Sequence, residues 1–326
     1  MEEYRSRSQK KKKKKKVWRK ILLLFIILTL AVGGFGAYII YQAMQAANDS
    51  YSELGRGVKS ELRDEAVRFG KEPVSILLLG VEDYSSGGKG GRTDSIMVAT
   101  FKPDDSSMKL MSIPRDTKVY IPSKDTNTKI NAAYNNGKES TIETVEGFLD
   151  IPIDYYATVN FEGFKAIIDE IGGVTVDVPF DFWEYTDTYP RKKLYYKEGM
   201  QKLNGEEALG YARMRKRDPN GDFGRADRQK QIVKASIDSL ISPKNLLKVD
   251  EIADHVGNNV ETNLKVSDLL AFTAKFKSFS SDNIETLTLE GEGDISSGTW
   301  YFIPDEEALE ATKKELQNHL NYKEKQ

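Results

Sequence analysis

Between Val74 and Ile121, short apolar runs alternate with polar breaks: Val74 to Leu79, Ser95 to Phe101, Met108 to Ile113 and Lys118 to Ile121. These read as strands, and Pro103, Asp104, Asp105 and Ser106 between the second and third are hairpin chemistry. Ile153 to Asn160 and Val174 to Val178 also read as strands, flanking a helix from Phe161 to Ile171 that Gly172 and Gly173 end. Thr141 to Leu149 is predicted helical, with Ser140 and Glu143 spaced as a capping box. Further helices are predicted from about Arg225 to Ile241 and from an Asp305 cap to about Leu320. Ile284 to Leu289 and Thr299 to Ile303 add strands, Ser123 to Thr128 is a polar loop, and Pro243 to Leu270 holds two amphipathic segments, Ser267 capping the second. Strand, helix and strand in succession with short links predict an α/β fold, a mixed sandwich and not an all-β domain.

The polar breaks carry the chemistry. Glu82 and Asp83 follow the first run, Arg92, Thr93 and Asp94 precede the second, and Arg115 and Asp116 follow Pro114 after the third. In an antiparallel arrangement the end of one strand and the start of the next share an edge, so these charges converge there. Carboxylates and guanidinia meeting at a sheet edge suit a divalent metal with a phosphate.

Charge changes the picture at the N-terminus. The 326 residues carry a net charge of −2, but residues 1–20 hold eleven positive charges against Glu2 and Glu3, which leaves −11 on residues 21–326. So acidic a folded part is a poor nucleic-acid binder. Ile21 to Ala43 contains no charged residue. As a helix it would extend roughly 35 Å against a hydrocarbon core of about 30 Å. A cleaved signal peptide would have a shorter apolar region ending at a small-x-small site, so an uncleaved signal-anchor is expected. Lys10 to Lys16 could be read alone as a nuclear or nucleic-acid signal, but before an apolar span they set topology: N-terminus cytoplasmic, everything after about residue 44 outside, single-pass type II. The expected organisation is a basic tail at 1–20, a transmembrane helix at 21–43, a polar, helix-compatible stalk at 44–72 and a catalytic domain at 73–322. The absence of cysteine excludes disulfides and thiolate chemistry.

Of the eleven arginines beyond Lys20, five lie within sixteen residues: Arg213, Arg215, Arg217, Arg225 and Arg228. If Tyr211 to Lys216 is extended, Arg213 and Arg215 share one face. On the following helix Arg225, Gln229, Val233 and Ile237 recur at i, i+4, so a core-facing stripe begins with two polar residues. They need partners or a ligand, and a helix N-terminus repels a cation and welcomes phosphate. A bound anion answers both demands. Ion pairing of these arginines with Asp218, Asp222 and Asp227 is the plainer alternative.

The aromatic stretch Phe180 to Tyr196 reads either as a hairpin pinning rings on the core or as a flap over a lipid or sugar. His255 and His319 have no metal-ligand spacing and read as ordinary surface or helix residues. Gly87, Gly88, Gly90 and Gly91 make a flexible loop without the strand-to-helix context of a P-loop or dinucleotide fingerprint, and no serine-nucleophile elbow is evident.

The segments GRTDSIMV, MSIPRDTKVYIP, KINAAY and NGEEALGYARMRK followed by GRADRQKQ resemble the LytR-CpsA-Psr family over about Val74 to Ile241. The resemblance implies an extracellular α/β/α sandwich holding a polyprenyl pyrophosphate in an apolar tunnel. It also implies a phosphotransferase that moves an anionic glycopolymer such as wall teichoic acid from that lipid to a peptidoglycan hydroxyl, the C6 hydroxyl of N-acetylmuramic acid. On the family's pattern the metal-side acids for Mg²⁺ fall on Glu82 and Asp94. The pyrophosphate-binding residues fall on Arg92, Arg115, Arg213, Arg215, Arg225, Gln229 and Lys129. The family usually has Asp where this chain has Glu82, so either the longer side chain reaches the metal or Asp83 replaces it. Asp94 and Asp116 are the candidates for taking the hydroxyl proton, with Arg92 and Arg115 at the reacting phosphate. A polyprenyl-pyrophosphate hydrolase and a membrane-anchored regulator of envelope stress are the competing readings. The lysine tail offers no DNA-reading fold for the latter.

Overall fold

The computed structural model describes residues 51–323 except 58, 83–91, 241, 243–258, 266–267, 269–278 and 297. The expected basic tail and transmembrane helix, Asp83, the glycine loop, His255, Ser267 and most of the two amphipathic segments lie outside the described residues. No helix among the described residues is long and apolar enough to cross a membrane.

The elements, in chain order, are β1 (Val74–Glu82), β2 (Arg92–Lys102), β3 (Ser107–Ser112), β4 (Lys118–Ile121), β5 (Thr126–Lys129), α1 (Lys138–Leu149), β6 (Tyr155–Asn160), α2 (Phe161–Glu170) and β7 (Val174–Val178). There follow β8 (Phe182–Tyr185), β9 (Lys193–Tyr196), β10 (Gly199–Leu203), α3 (Gly205–Arg213), α4 (Asp222–Leu240), β11 (Val260–Thr262), β12 (Ile284–Thr288), β13 (Gly291–Ser296), β14 (Thr299–Pro304) and α5 (Glu306–His319). The central sheet has strand order β11-β6-β1-β2-β3-β12. It is mixed: β1 pairs antiparallel with β2 but parallel with β6, and β3 is antiparallel to β2 but parallel to β12.

Alternation along the inner strands sorts their side chains between two buried faces. Leu77, Leu79, Ile96, Val98 and Met111 pack with Ile142, Val145 and Leu149 of α1 and Leu316 of α5. Met97, Ala99, Phe101 and Leu110 face the other way, toward Phe279 and the half-buried Val233 and Ile237 of α4. Helices on both faces of a mixed sheet make the expected sandwich. A third apolar cluster, under α2, α3 and the β7–β10 pair, takes in Phe182 and Tyr196 of the β8–β9 hairpin. Their rings stack 4.5 Å apart, which realises the hairpin-on-core alternative for part of the aromatic stretch.

Several sequence expectations need correction. Residues 51–72 are not a helical stalk: Leu54 and Phe69 are buried in the core, Arg56 reaches Glu146 at 2.6 Å and Arg63 reaches Asp154 at 2.7 Å, so this segment is clasped to the domain. Helix α1 starts at Lys138 from Gly137 without a side-chain cap, and Ser140 instead bonds Ser123 at 2.5 Å. The polar loop after β4 contains β5, because Thr126, Asn127, Thr128 and Lys129 pair with β4 as a surface ribbon. Strand β13 was hidden by its glycines and charges. Asp305 does cap α5, accepting from Ala308 N at 2.9 Å.

His319 is a helix residue, the last of α5, but not a surface one. Only 7% exposed, its ring nitrogens bond Thr100 Oγ1 and Ser107 Oγ, both at 2.8 Å. Burial foremost, then Lys109, pushes its pKa down to about 4 from 6.5, with Asp105 and Glu285 opposing. Between those values the unfolded chain binds the proton and the native chain does not, so stability falls as pH drops through this window. The loss should reach about 2–3 kcal/mol and level off below about pH 4. Melting temperature against pH checks this: His319→Gln should flatten the slope between about pH 6.5 and 4, and an unchanged slope would assign it to other groups.

Candidate functional site

Strands β1 and β2 run to the same edge, where Glu82 stands opposite Arg92 in register. The register skips one residue there, pairing Gly80 with Ser95 but Val81 with Thr93. Asp94 is the extra residue of this bulge, and bulges re-aim side chains. Its carboxylate meets the Arg115 guanidinium. Arg115 is held by the chain after β3, where Thr117 N bonds Pro114 O at 2.9 Å, Asn131 N bonds Arg115 O at 3.2 Å and Phe302 N bonds Asp116 O at 3.0 Å. The motif MSIPRD therefore fixes an arginine at the sheet edge by backbone bonds on both sides.

The other wall is the start of α4. Asp222, Arg225 and Gln229 lie one turn apart and, with Asp94, Ser95 and Arg115, line one cleft closed at its rim by Phe223 and Trp300. Asp222 ties the arginines together: Arg225 Nη2 is 3.4 Å from Oδ2 and Arg215 Nε is 2.5 Å from Oδ1. Burial lowers the Arg225 pKa, opposed by Asp222 and reinforced by neighbouring Arg115. Burial also works against the Arg115 charge, but Asp94 outweighs it and the pKa is raised. The cleft thus holds guanidinia and carboxylates side by side, each arginine braced by an acid.

Among the described residues, seven buried side-chain polar atoms lack a hydrogen bond, and three belong to residues that line this cleft: Ser95 Oγ, Arg115 Nε and Asp222 Oδ1. Arg215 approaches Asp222 Oδ1 without the alignment of a hydrogen bond. Unmet buried polar atoms are destabilising and each calls for a reason. Here Ser95 Oγ has no hydrogen-bond partner, Arg115 Nε stops 3.7 Å from Asp116 Oδ2, and Asp222 Oδ1 has the Arg215 cation beside it.

The remaining candidates are distributed. Arg213 is the last residue of α3 and not part of an extended segment, because Asn204 and Glu207 close a reciprocal capping box that starts a helix at Gly205. Its guanidinium lies over the Phe161 ring at 5.1 Å, with Nη1 unbonded. Lys129 Nζ bonds the buried Asp116 at 2.7 Å, and Asp116 sits behind Arg115 and not on the cleft wall. Gln229 lines the cleft while its Nε2 donates to Ala212 O at 3.3 Å. The plainer ion-pair reading holds for Arg228, buried with Asp218, and for Arg215 and Arg225, both on Asp222, whereas Arg217 pairs with Glu184 at 3.3 Å and Asp227 with Lys230. Sequence reasoning missed Ser95 and treated Asp222 only as a surface partner. The position of Asp222 one turn before Arg225, in the first turn of a helix, was the available signal.

A mixed-sheet sandwich with a guanidinium-lined, carboxylate-braced cleft at one sheet edge is the class this architecture defines. The LytR_cpsA_psr family model matches residues 37–318, and the chain belongs to that family. Polyisoprenyl-teichoic acid--peptidoglycan teichoic acid transferase TagV of Bacillus subtilis (strain 168) is 50% identical over 312 residues, covering 94% of this chain and 80% of the relative. The crystal structure of B. subtilis TagV superposes with a TM-score of 0.70 over 78% of this chain and 99% of that one. The family protein YwtF (TagT) with bound octaprenyl pyrophosphate lipid is 29% identical, with a TM-score of 0.65 over 83% of this chain and 99% of that one.

Proposed function

We propose that the chain transfers an anionic glycopolymer, wall teichoic acid foremost, from a polyprenyl diphosphate carrier to a peptidoglycan hydroxyl. The reading rests on the relatives' activity and on one observation of this protein, the Arg115 and Arg225 guanidinia brought from separate elements to one cleft beside the Asp94 and Asp222 carboxylates. A diphosphate supplies acceptors to both guanidinia and to the unbonded Ser95 hydroxyl. Along α4 the stripe Arg225, Gln229, Val233, Ile237 then leads from the cleft into half-buried apolar surface shared with Ile76 and Leu78, a path for the prenyl tail.

In the reaction an acceptor oxygen bonds to the polymer-bearing phosphorus, the bridging P–O bond breaks, and polyprenyl phosphate leaves with the electron pair. Arg115 and Arg225 hold the leaving phosphate, where negative charge builds. Asp94, on the cleft wall, accepts the hydroxyl proton, whereas Asp116 holds Arg115 and Lys129 in place. No nucleotide is needed, because the diphosphate anhydride already carries the driving force.

Asp94 and Asp222 both line the cleft, and carboxylate oxygens are the donors a hard divalent cation takes. Among the described residues no three His, Cys, Asp or Glu side chains converge, and Mg²⁺ characteristically takes one or two carboxylates with substrate phosphates completing its shell. Asp94 and Asp222 would hold it in the cleft, with Glu82 at the neighbouring strand end. Bound there, it would neutralise diphosphate charge. The apolar run at 21–43 behind a basic head supports a signal-anchor that keeps this domain on the outer face of the membrane.

The test is incubation of the full chain with lipid-linked glycopolymer, peptidoglycan oligomers and Mg²⁺. The expected product is a phosphodiester-linked conjugate, lost on chelation by at least about 10²-fold and restored by Mg²⁺. Free phosphorylated polymer would identify a hydrolase, and transfer indifferent to chelation would remove the metal.

A further inference from the structure

The β8–β9 hairpin offers two faces to two environments. Phe182 and Tyr196 point inward, so their neighbours Trp183, Tyr195 and Tyr185 lie on the outer face by strand alternation. Trp183 and Tyr185 meet edge to face at 5.0 Å. Lys193 Nζ lies 4.1 Å from the Trp183 ring centre, and the Arg217 guanidinium 3.4 Å from it. Tyr195 is 70% exposed, and Tyr189 at the tip is 93% exposed.

Charge on this hairpin is sorted as well. Its acids are already engaged: Asp187 is withdrawn to Lys165 at 3.1 Å with 2% of its side chain exposed, Asp181 holds Lys197 at 2.6 Å, and Glu184 meets Arg217. Among the described ion pairs none involves Arg191, Lys192 or Lys193, the three consecutive exposed bases beside Tyr189. They stand out on a chain whose residues 21–326 carry −11.

We propose that the outer face and tip of the β8–β9 hairpin are a contact surface for an anionic lipid bilayer. Tyrosine and tryptophan partition to the headgroup level, where an apolar ring body and a polar edge are both satisfied. Lysine and arginine reach anionic headgroups from the same depth. A water-soluble anionic polymer would satisfy the bases and leave the exposed rings in water, whereas a bilayer interface satisfies both. The acidic remainder of the domain is repelled by such a surface, so this edge is the one that approaches it. Arg217, stacked on Trp183, is two residues from Arg215, which braces the cleft through Asp222. The contact therefore rests on the function proposed above for its purpose, bringing the arginine loop to the surface that holds a lipid-linked substrate, but not for its detection.

The chain contains no cysteine, so Tyr189→Cys gives a single labelling site for an environment-sensitive fluorophore, with Tyr195→Cys as a second reporter should the first perturb folding. The full chain is reconstituted into phosphatidylglycerol vesicles or into phosphatidylcholine vesicles. The expected result is a blue shift and a several-fold loss of iodide quenching in phosphatidylglycerol alone, reversed by Arg191→Glu with Lys192→Glu, while a label at Glu310→Cys on α5 stays quenchable. A reporter as wet in phosphatidylglycerol as in phosphatidylcholine overturns the proposal. So does a shift produced equally by both lipids, or by soluble poly(glycerol phosphate) without anionic lipid. Transfer activity is measured separately: a protected reporter without transfer counts against the proposed function alone, and transfer with a wet reporter counts against the bilayer contact alone.

Discussion

Arg115→Ala and Arg225→Ala each reduce transfer by at least about 10²–10³-fold, the range for removing one preorganised donor from a developing charge, while the domain stays folded. The two arginines come from separate walls, one fixed after β3 and one in the first turn of α4, and both face the cleft. Neither is needed to hold the protein together. The Arg115–Asp94 pair is a quarter or more exposed on both sides, and such pairs contribute at most about 1 kcal/mol. Burial and neighbouring Arg115 work against the Arg225 charge and Asp222 only partly offsets them, so the charge adds little to stability. Arg225→Met, which keeps the aliphatic stem, should therefore melt within about 1 kcal/mol of the parent or above it, the usual sign of a residue kept for activity. Turnover under single-turnover conditions, set beside a melting curve for each variant, separates the effects. Parental turnover in either alanine variant would remove the diphosphate from this cleft.

Much of this arrangement was legible because period and punctuation agreed. Strands β1, β2 and β3 are largely buried apolar runs bounded by polar residues, and their polar ends meet once the strands pair. The stripe Arg225, Gln229, Val233, Ile237 follows from helical spacing alone and does run from the cleft into apolar surface. Arg213 was misplaced because Ala, Arg and Met fit either state. The capping box at Asn204, which extends the helix through it, is a tertiary-independent signal that an assumed strand obscured. Asp94 as the extra residue of a bulge could not be read, since register is settled by pairing and not by one strand's sequence. Residues 51–72 look polar and are nevertheless clasped, because Glu146 and Asp154, the acids that receive Arg56 and Arg63, are remote in sequence. The same remoteness hides which arginine of a cluster serves a ligand and which serves the fold.

Arg228 belongs to the fold, and that separates it from Arg215 and Arg225 on either side of its loop. Its guanidinium and the Asp218 carboxylate are each 2% exposed. Nε donates to Tyr211 O at 3.1 Å and Nη2 to Met214 O, the carbonyls at the end of α3. Gly224 admits this pairing, since a Cβ there would lie 2.0 Å from Asp218 Oδ2. One buried cation thus closes the loop 214–221 onto α4 and sets where Arg215 and Asp222 stand. Asp218→Ala leaves that cation uncompensated and should cost about 3–5 kcal/mol. Adding Arg228→Met should recover part of the loss but not all, because the Tyr211 and Met214 carbonyls then lose their donor at about 1–3 kcal/mol. Denaturant unfolding of both single variants and the double variant measures the coupling. A cost for Asp218→Ala below about 1 kcal/mol, the level of an exposed pair, would mean that the loop is held by something other than this ion pair, and the account of how Arg215 is aimed would fall with it.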